Sequence, residues 1–407
     1  MAGGKGTRIS TLFPDVPKPL IPIEGKPVLE REIDCLREQG FKDIILTVSY
    51  LGEKIEDYFG NGSRFGVRIK YFYEKEPLGN AGALFSLKDE LIDDFLLINA
   101  DSLFDIDLNK FVRFHEEKGG LATLFVHPNS HPFDSGLIIT DKEGLVIKWI
   151  TKEEERPKWY KNQVNAGIHI LSPILLNQKL DLPKIDLDRH ILKPLVNQNK
   201  VYAYKSPEYV KDMGTPERFA QVCDDFKKNL IKCKNLKNKQ KAIFLDRDGT
   251  INKYVGFLKN IKDFELLPNV SDAIKMINSS EYLAIVVTNQ PVIARGEVTF
   301  EELDEIHNKM ETLLGRDGAY LDAIYFCPHH PNSGYEGEIP ELKIDCNCRK
   351  PKPGMLLKAA EDFNVDLAKS WMIGDDEIDV LAGLTAGCKA VKLNKKISLL
   401  EAIKMVL

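Results

Sequence analysis

The sequence predicts two α/β domains in tandem, each a doubly wound sheet with its chemistry at the carboxyl edge of the strands. Three observations carry this. Short apolar runs stop abruptly on acids: residues 242–245 (AIFL) halt at Asp246 and Asp248, residues 95–98 (FLLI) lead into Asp101, and residues 371–373 (WMI) reach Asp375 and Asp376. Between such runs lie segments with apolar residues at helical spacing. An acid-free basic stretch, KKNLIKCKNLKNKQK at residues 227–241, separates two complete patterns of this kind. The expected domains are therefore 1–226 and 241–407, joined by a solvated basic linker over 227–240.

Bulk properties limit the possibilities. A chain of 407 residues with 43% apolar content has room for two or three packed cores, and a net charge of −5 with mixed signs leaves no nucleic-acid footprint. No apolar run reaches membrane-spanning length and no leader pattern opens the chain, so a cytoplasmic location without membrane contact is expected. Seven cysteines, three of them at Cys327, Cys346 and Cys348, suit a reduced metal-binding protein better than a disulfide framework.

In the first half, AGGKGTR (residues 2–8) sets glycine amides where phosphate oxygens can be cradled, with Lys5 and Arg8 adding charge. Lys18 stands between Pro17 and Pro19, a stiffly aimed cation. Helical spacing predicts a helix over 28–39, and 43–49 reads as a strand. A further helix (52–59) and strand (67–73) follow, then the small-residue turn LGNAGAL at 78–84 and a strand over 95–99. Near residue 215, Thr215 is a natural helix cap with Pro216 at the first turn.

GGKGTR, PKPL, PLGNAGAL, NADS, VNAG and KDMGTPE, in that order, resemble a sugar-1-phosphate nucleotidyltransferase over about residues 1–225. The resemblance implies a Rossmann-like fold and transfer of a nucleotidyl group from an NTP to a sugar 1-phosphate. It assigns Gly3, Gly4, Gly6, Thr7 and Arg8 to the triphosphate and Lys18 to the attacked phosphate. Mg²⁺ would sit on Asp101 and Asp212. Gly79 and Asn80 would approach the base, and Gly136, Asn165 and Gly167 would line the sugar. Glu74 falls where the family reads the base edge; a carboxylate there accepts from guanine, so GTP is the expected donor. The family carries a strand ahead of the glycine loop, of which Met1 takes the last position, so either a start upstream or an unstable first half is expected. Lys152-Glu153 reverses the family's usual order of an acid and a lysine.

The second half opens on AIFLDRDGT, residues 242–250. Two carboxylates one residue apart at a strand end suit a nucleophile and an acid/base around one metal. A helix is expected over 269–277 and a strand over 283–287, ending on Thr288 and Asn289, whose hydroxyl and amide can bind a phosphoryl group. Arg295 follows in a loop, and a long amphipathic helix spans 300–314. Cys327, His329, Cys346 and Cys348 make a closed tetrahedral Zn²⁺ set, structural because no position is left for water. Arg349 and Lys350 come straight after these ligands, aimed at a phosphate.

DRDGT, TNQ, CRKP and GDDEID resemble the haloacid dehalogenase-like (HAD-like) phosphatases over residues 241–393, and the zinc loop narrows this to the heptose bisphosphate and histidinol-phosphate group. By that resemblance Asp246 attacks phosphorus and Asp248 serves as acid and then base. Asp246, the Asp248 carbonyl and Asp375 hold Mg²⁺, Thr288 and Lys350 hold the phosphoryl group, and Arg349 reaches a remote phosphate. The two halves together imply a phosphorylated heptose and an NTP as partners. They imply a chain that hydrolyses the C7 phosphate of D-glycero-D-manno-heptose 1,7-bisphosphate and then activates heptose 1-phosphate, giving GDP-D-glycero-α-D-manno-heptose for surface polysaccharide if Glu74 reads guanine. The alternative is a histidinol-phosphate phosphatase-type enzyme with a non-catalytic nucleotide-binding module. Oligomeric state is not legible.

Overall fold

The computed structural model describes residues 1–2, 8–9, 11–178 and 180–407. Gly3, Gly4, Gly6 and Thr7 of the glycine loop lie outside the described residues. The chain forms two compact units: residues 1–126, 138–149 and 165–235 make the first, and residues 127–137, 150–164 and 236–407 the second.

In the first unit, Asp43–Val48 pairs in parallel with Arg68–Tyr73 along its whole length. A six-stranded sheet runs Val201–Lys205, Ala122–His127, Val164–Leu171, Leu137–Thr140 and Val146–Ile150, with Phe95–Ile98 joined to Val164–Leu171. The Val201–Lys205 and Ala122–His127 pair is parallel, whereas Val164–Leu171 runs antiparallel to Phe95–Ile98. The sheet is therefore mixed, where alternating strands and helices predict parallel pairing throughout. Met1 and Ala2 lie between two strand ends: Ala2 N donates to Thr47 O (2.9 Å) and Ala100 N to Met1 O (3.0 Å). The expected helices appear as Val28–Glu38 and Gly52–Phe59. Thr215 caps Pro216–Lys227, its side chain accepting from Arg218 N.

In the second unit five parallel strands are ordered Ala323–Cys327, Tyr282–Asn289, Lys241–Leu245, Trp371–Gly374 and Lys389–Lys392. The strand the sequence sets first is the central one. Alternation sorts its residues onto two faces. Ile243 and Leu245 pack with Val270–Asn278, Phe300–Arg316 and Leu399–Val406, while Ala242 and Phe244 pack with Gly354–Phe363 and Ala382 of Glu377–Ala386. Burial on both faces is why the run is continuously apolar.

The junction differs from a bare solvated linker. Leu230–Cys233 is helical, and Leu230, Ile231, Lys234, Asn235 and Leu236 are buried. Apolar residues among the lysines supply that burial, which a count of charge alone overlooks. Among the described residues, no helix is long and apolar enough to cross a membrane.

Phe244 is fully buried at the centre of the second sheet. Phe244→Ala is expected to cost about 3–5 kcal/mol, measured by denaturant unfolding of the full chain; a loss below about 1 kcal/mol would contradict this packing.

Candidate active sites

The end of the central strand in the second unit gathers charge from three distant segments. Asp246 follows that strand, Lys350 leaves the cysteine loop, and Asp379 lies in the first turn of Glu377–Ala386. Lys350 Nζ reaches Asp246 Oδ1 at 2.5 Å and Asp379 Oδ1 at 2.6 Å, all three side chains being buried. Burial pushes the Asp246 carboxyl up, the charges of Asp379 and Asp248 adding to it and the Lys350 ammonium opposing it. Burial works against the Lys350 charge, but the two carboxylates outweigh it and raise its pKa.

Asp375 joins them: Asp246, Asp375 and Asp379 offer oxygens within 4.8 Å of one another. Burial, then the Asp379 charge, raises Asp375. Three carboxylates around one ammonium leave surplus negative charge, and an all-oxygen donor set of this kind fits Mg²⁺. Close approach here depends on Gly249, at φ +88°, where an added Cβ would lie 2.1 Å from Asp375 Oδ2.

The Asp248 carboxylate points elsewhere. Arg247 Nη2 donates to both of its oxygens (3.0 and 2.8 Å), Gln290 Nε2 to Oδ2 (2.9 Å) and Asn252 Nδ2 to Oδ1 (3.0 Å). Arg247 is wholly buried and also meets Gln290 Oε1 and His307 Nε2. Thr288 Oγ1 accepts from Gln290 Nε2 at 2.8 Å.

Asn289 spends its side chain on the Lys350 backbone, donating to Lys350 O and accepting from Lys350 N, so it positions that lysine. Arg295 is buried between the rings of Phe257 and Tyr335, 4.0 and 4.4 Å from their centroids, with Nη2 at His330 Nε2. Arg349 is half-buried and donates to His329 O. Sequence reasoning missed Arg247, Gln290, Asn252 and the Lys350 contact of Asp379. One signal was available: Asp376 and Asp379 form a capping box, a spacing that fixes an acid in the first helical turn.

Cys327, His329, Cys346 and Cys348 converge. Their sulfurs lie 3.2–3.4 Å apart, with His329 Nδ1 3.3 Å from Cys348 Sγ and 3.7 Å from Cys327 Sγ. These separations exceed a disulfide bond and approach the edge of roughly 3.7 Å that tetrahedral Zn–S bonds would set. His330 lies outside this set, its ring meeting Tyr335 edge to face.

In the first unit, Asp101 and Asp212 are neighbours: Tyr209–Asp212 pairs antiparallel with Ser102–Asp105, and Met213 N donates to Asp101 O (3.1 Å). Lys18 Nζ meets Asp101 Oδ2 at 2.9 Å, and Arg218 Nη1 meets Asp212 Oδ2 at 2.8 Å. A Cβ added to Gly214 would lie 2.8 Å from Asp212 Oδ1, 3.5 Å from Arg8 Nη2 and 4.0 Å from Lys18 Nζ. Two carboxylates and three cations therefore meet at one place, a donor set that suits a divalent cation beside phosphates. Arg218 was not anticipated; its signal is its place one turn after the Thr215 cap.

The base and sugar positions are more structural than expected. Gly79, at φ +87°, leaves room for Ile185 O, 2.4 Å from where a Cβ would stand. Asn80 Oδ1 accepts from Leu187 N at 2.7 Å. Glu74 is half-buried; burial raises its carboxyl while a hydrogen bond from the Leu78 backbone works against that. Asn165 Oδ1 accepts from Gly167 N and pairs with His169 Nε2, both at 3.1 Å. An added Cβ on Gly167 would meet Asn99 Nδ2 at 2.8 Å. Gly136 follows the turn Pro132–Asp134 and precedes Leu137–Thr140.

For the thiolate set, Cys346→Ser is expected to take zinc from about one ion per chain to a substoichiometric level by elemental analysis, and to lower the unfolding temperature. Equal zinc content in both proteins would remove the assignment.

The family described as Nucleotidyl transferase matches residues 1–229, and the one described as HAD-hydrolase-like matches residues 347–396. The D-glycero-beta-D-manno-heptose-1,7-bisphosphate 7-phosphatase of Haemophilus ducreyi is 44% identical over 151 residues, covering 37% of this chain and 80% of that protein. The UTP–glucose-1-phosphate uridylyltransferase of Synechocystis is 34% identical over 214 residues, covering 48% of this chain and 54% of that protein. The mannose-1-phosphate guanylyltransferase catalytic subunit beta of Drosophila pseudoobscura pseudoobscura is 30% identical over 223 residues, covering 54% and 59%. The chain thus spans little more than half the length of these two transferases. A nucleotidyl transferase match over more than half of the residues, joined to a phosphatase relative matched over most of its length, identifies the protein as a member of the nucleotidyl transferase family fused to a HAD-like phosphatase of the heptose-bisphosphate kind.

Proposed function

We propose that the two halves catalyse consecutive steps of nucleotide-heptose synthesis in the cytoplasm, supplying surface polysaccharide. The phosphatase hydrolyses the C7 phosphate of D-glycero-D-manno-heptose 1,7-bisphosphate. The transferase then joins the resulting heptose 1-phosphate to a nucleotidyl group, GMP from GTP. The observation that carries this reading is the buried Asp246–Lys350–Asp379 set beside Asp375 and Asp248, in a half that is 44% identical to a heptose bisphosphate phosphatase.

In the phosphatase, an Asp246 oxygen attacks phosphorus and the C7–O side leaves, giving an aspartyl-phosphate. Asp248 hands its proton to the departing alkoxide, then takes one from the water that cleaves the acyl phosphate. For that, its carboxylate turns from the Arg247–Gln290–Asn252 cradle toward the leaving oxygen. Lys350 and Thr288 hold the transferring phosphoryl oxygens. Asp246 and Asp375, with the Asp248 carbonyl, would hold Mg²⁺, which when bound offsets phosphoryl charge. Arg349 binds the remaining phosphate. Cys327, His329, Cys346 and Cys348 would hold Zn²⁺, which when bound would fix the loop that carries Arg349 and Lys350.

In the transferase, a phosphate oxygen of the sugar 1-phosphate attacks the α-phosphorus of the NTP and pyrophosphate leaves. Arg8 and Lys18 balance charge on the phosphates, and Asp101 and Asp212 would hold the second Mg²⁺. Glu74 accepts from the guanine edge.

The assay is the full-length chain with either anomer of heptose 1,7-bisphosphate, GTP and Mg²⁺, reading phosphate and pyrophosphate separately. Both are expected, in that order. Asp246→Asn should abolish phosphate release, with a fall of at least about a thousandfold, while transfer to supplied heptose 1-phosphate continues. Retained turnover in that variant would overturn the nucleophile. Gly249→Ala should depress phosphate release by about a hundredfold, since its methyl displaces Asp375. Glu74→Gln should shift the preference among NTPs away from GTP; an unchanged preference refutes the guanine assignment.

A further inference from the structure

Thr288 and Gln290 alternate with Asn289 at the end of the strand Tyr282–Asn289 in the second unit, so their side chains leave on the same side. Asn289 leaves on the other and is spent on the Lys350 backbone. Thr288 and Gln290 are both buried, at 1% and 2% exposure. The Gln290 backbone is held as well, its N–H donating to Cys327 O (2.8 Å).

The Gln290 amide has no choice of which end faces where. Its Oε1 accepts from Arg247 Nη2 (3.0 Å), and its Nε2 donates to Asp248 Oδ2 (2.9 Å) and to Thr288 Oγ1 (2.8 Å). A guanidinium has five donors and no acceptor. Turning the amide over would set N–H against N–H at Arg247 and oxygen against oxygen at Asp248. Arg247 is itself fixed. It is wholly buried, its Nη1 meets His307 Nε2 (3.2 Å), and its carbonyl accepts from Ile251 N (2.8 Å) and Asn252 N (3.0 Å). Burial and the arginine's charge press His307 toward its neutral form, so that ring nitrogen accepts.

The consequence falls on Thr288. A hydroxyl offers one donor and two acceptor sites. Gln290 fills an acceptor site, which leaves the O–H to donate, and among the described residues no acceptor takes it. A buried polar group without a partner is uncommon; the mechanism above supplies one, an oxygen of the transferring phosphoryl group. With the amide reversed, the Thr288 hydroxyl would donate to Gln290 and turn lone pairs toward that anion. The Asp248 side chain is 19% exposed, against 0% for Arg247. When Asp248 turns to the leaving oxygen, Arg247 still holds Gln290 Oε1, so the orientation survives the turn.

We infer that Gln290 is a positioning residue for phosphoryl transfer: oriented by Arg247, it fixes the Thr288 hydroxyl as a donor to the transferring phosphoryl group. This rests on the phosphatase reading above and adds to it a relay from His307 through Arg247 and Gln290 to Thr288. Only the last member touches substrate.

The test is equilibrium binding of orthovanadate, a phosphoryl mimic that needs neither acid nor base, to the full chain with Mg²⁺, read by titration calorimetry. Gln290→Glu keeps an acceptor for Arg247 and removes the donor to Thr288, whose O–H then turns to the new carboxylate. Thr288→Val removes the hydroxyl, and the double variant closes the cycle. Gln290→Glu should weaken vanadate about tenfold more in the wild-type background than in the Thr288→Val background, the factor for one hydrogen bond. The added negative charge weakens binding in both backgrounds and cancels between them. Gln290→Leu adds no charge and should couple to Thr288 in the same sense; if Gln290→Glu does not fold, this second cycle decides. Equal weakening in the two backgrounds overturns the relay while leaving the phosphatase reading intact. A wild-type chain that binds no vanadate sinks the phosphatase reading and the relay with it.

Discussion

A single buried ammonium organises the phosphatase half. Lys350 bridges Asp246, at the end of the central strand, to Asp379, in the first turn of a helix more than 130 residues away in sequence from that strand. Removing either partner from such a buried pair is costly, because the survivor keeps a charge it cannot solvate. The geometry is defended from all sides. Asn289 clamps the Lys350 backbone through both groups of its amide, and Cys348 of the thiolate set lies two residues earlier. Gly249 leaves the space into which Asp375 projects.

Asp248, the residue proposed as acid and base, is held differently. Asp248 is the carboxylate to which the wholly buried Arg247 is paired, and two neutral amides add to the grip. On the mechanism proposed above the cradle is a resting position, and the Asp248 carboxylate rotates within the site to reach the leaving oxygen. His307, which shares Arg247, is pressed toward its neutral form by burial and by the arginine's charge, and so accepts rather than repels the guanidinium.

The same long helix makes two sets of contacts. His307 faces the phosphatase machinery, and one turn later Glu311 and Thr312 hold backbone from a segment that the transferase match claims. Sequence families draw the boundary by descent, near residue 229, whereas compact packing assigns 127–137 and 150–164 to the other unit. Chain continuity and spatial packing need not agree when a loop finds its best partners on a neighbour's helix.

Much of the site was legible because its residues sit where strands end. Asp246, Asp101 and Asp375 each close an apolar run, and the four thiolate-set residues announce themselves by ligand type and spacing. Period, apolar content and cap chemistry are local properties, so the sequence by itself determined the central strand, the order of most helices and the Thr215 cap. What escaped depends on partners far along the chain. Asn289, Asn80 and Arg295 carry the right chemistry for ligands, yet the fold commits them to Lys350 backbone, to Leu187 and to the Phe257–Tyr335 rings. Arg247, Gln290 and Arg218 look like ordinary polar residues until folding sets them against the carboxylates of the candidate sites. The antiparallel insertion of Val164–Leu171, the burial of the basic junction and the contacts of Tyr160 and Asn162 with the long helix were likewise decided only by tertiary structure. The reason is physical: hydrogen-bond partners, desolvation and close approach are properties of pairs brought together in space, and a one-dimensional pattern records only half of each pair.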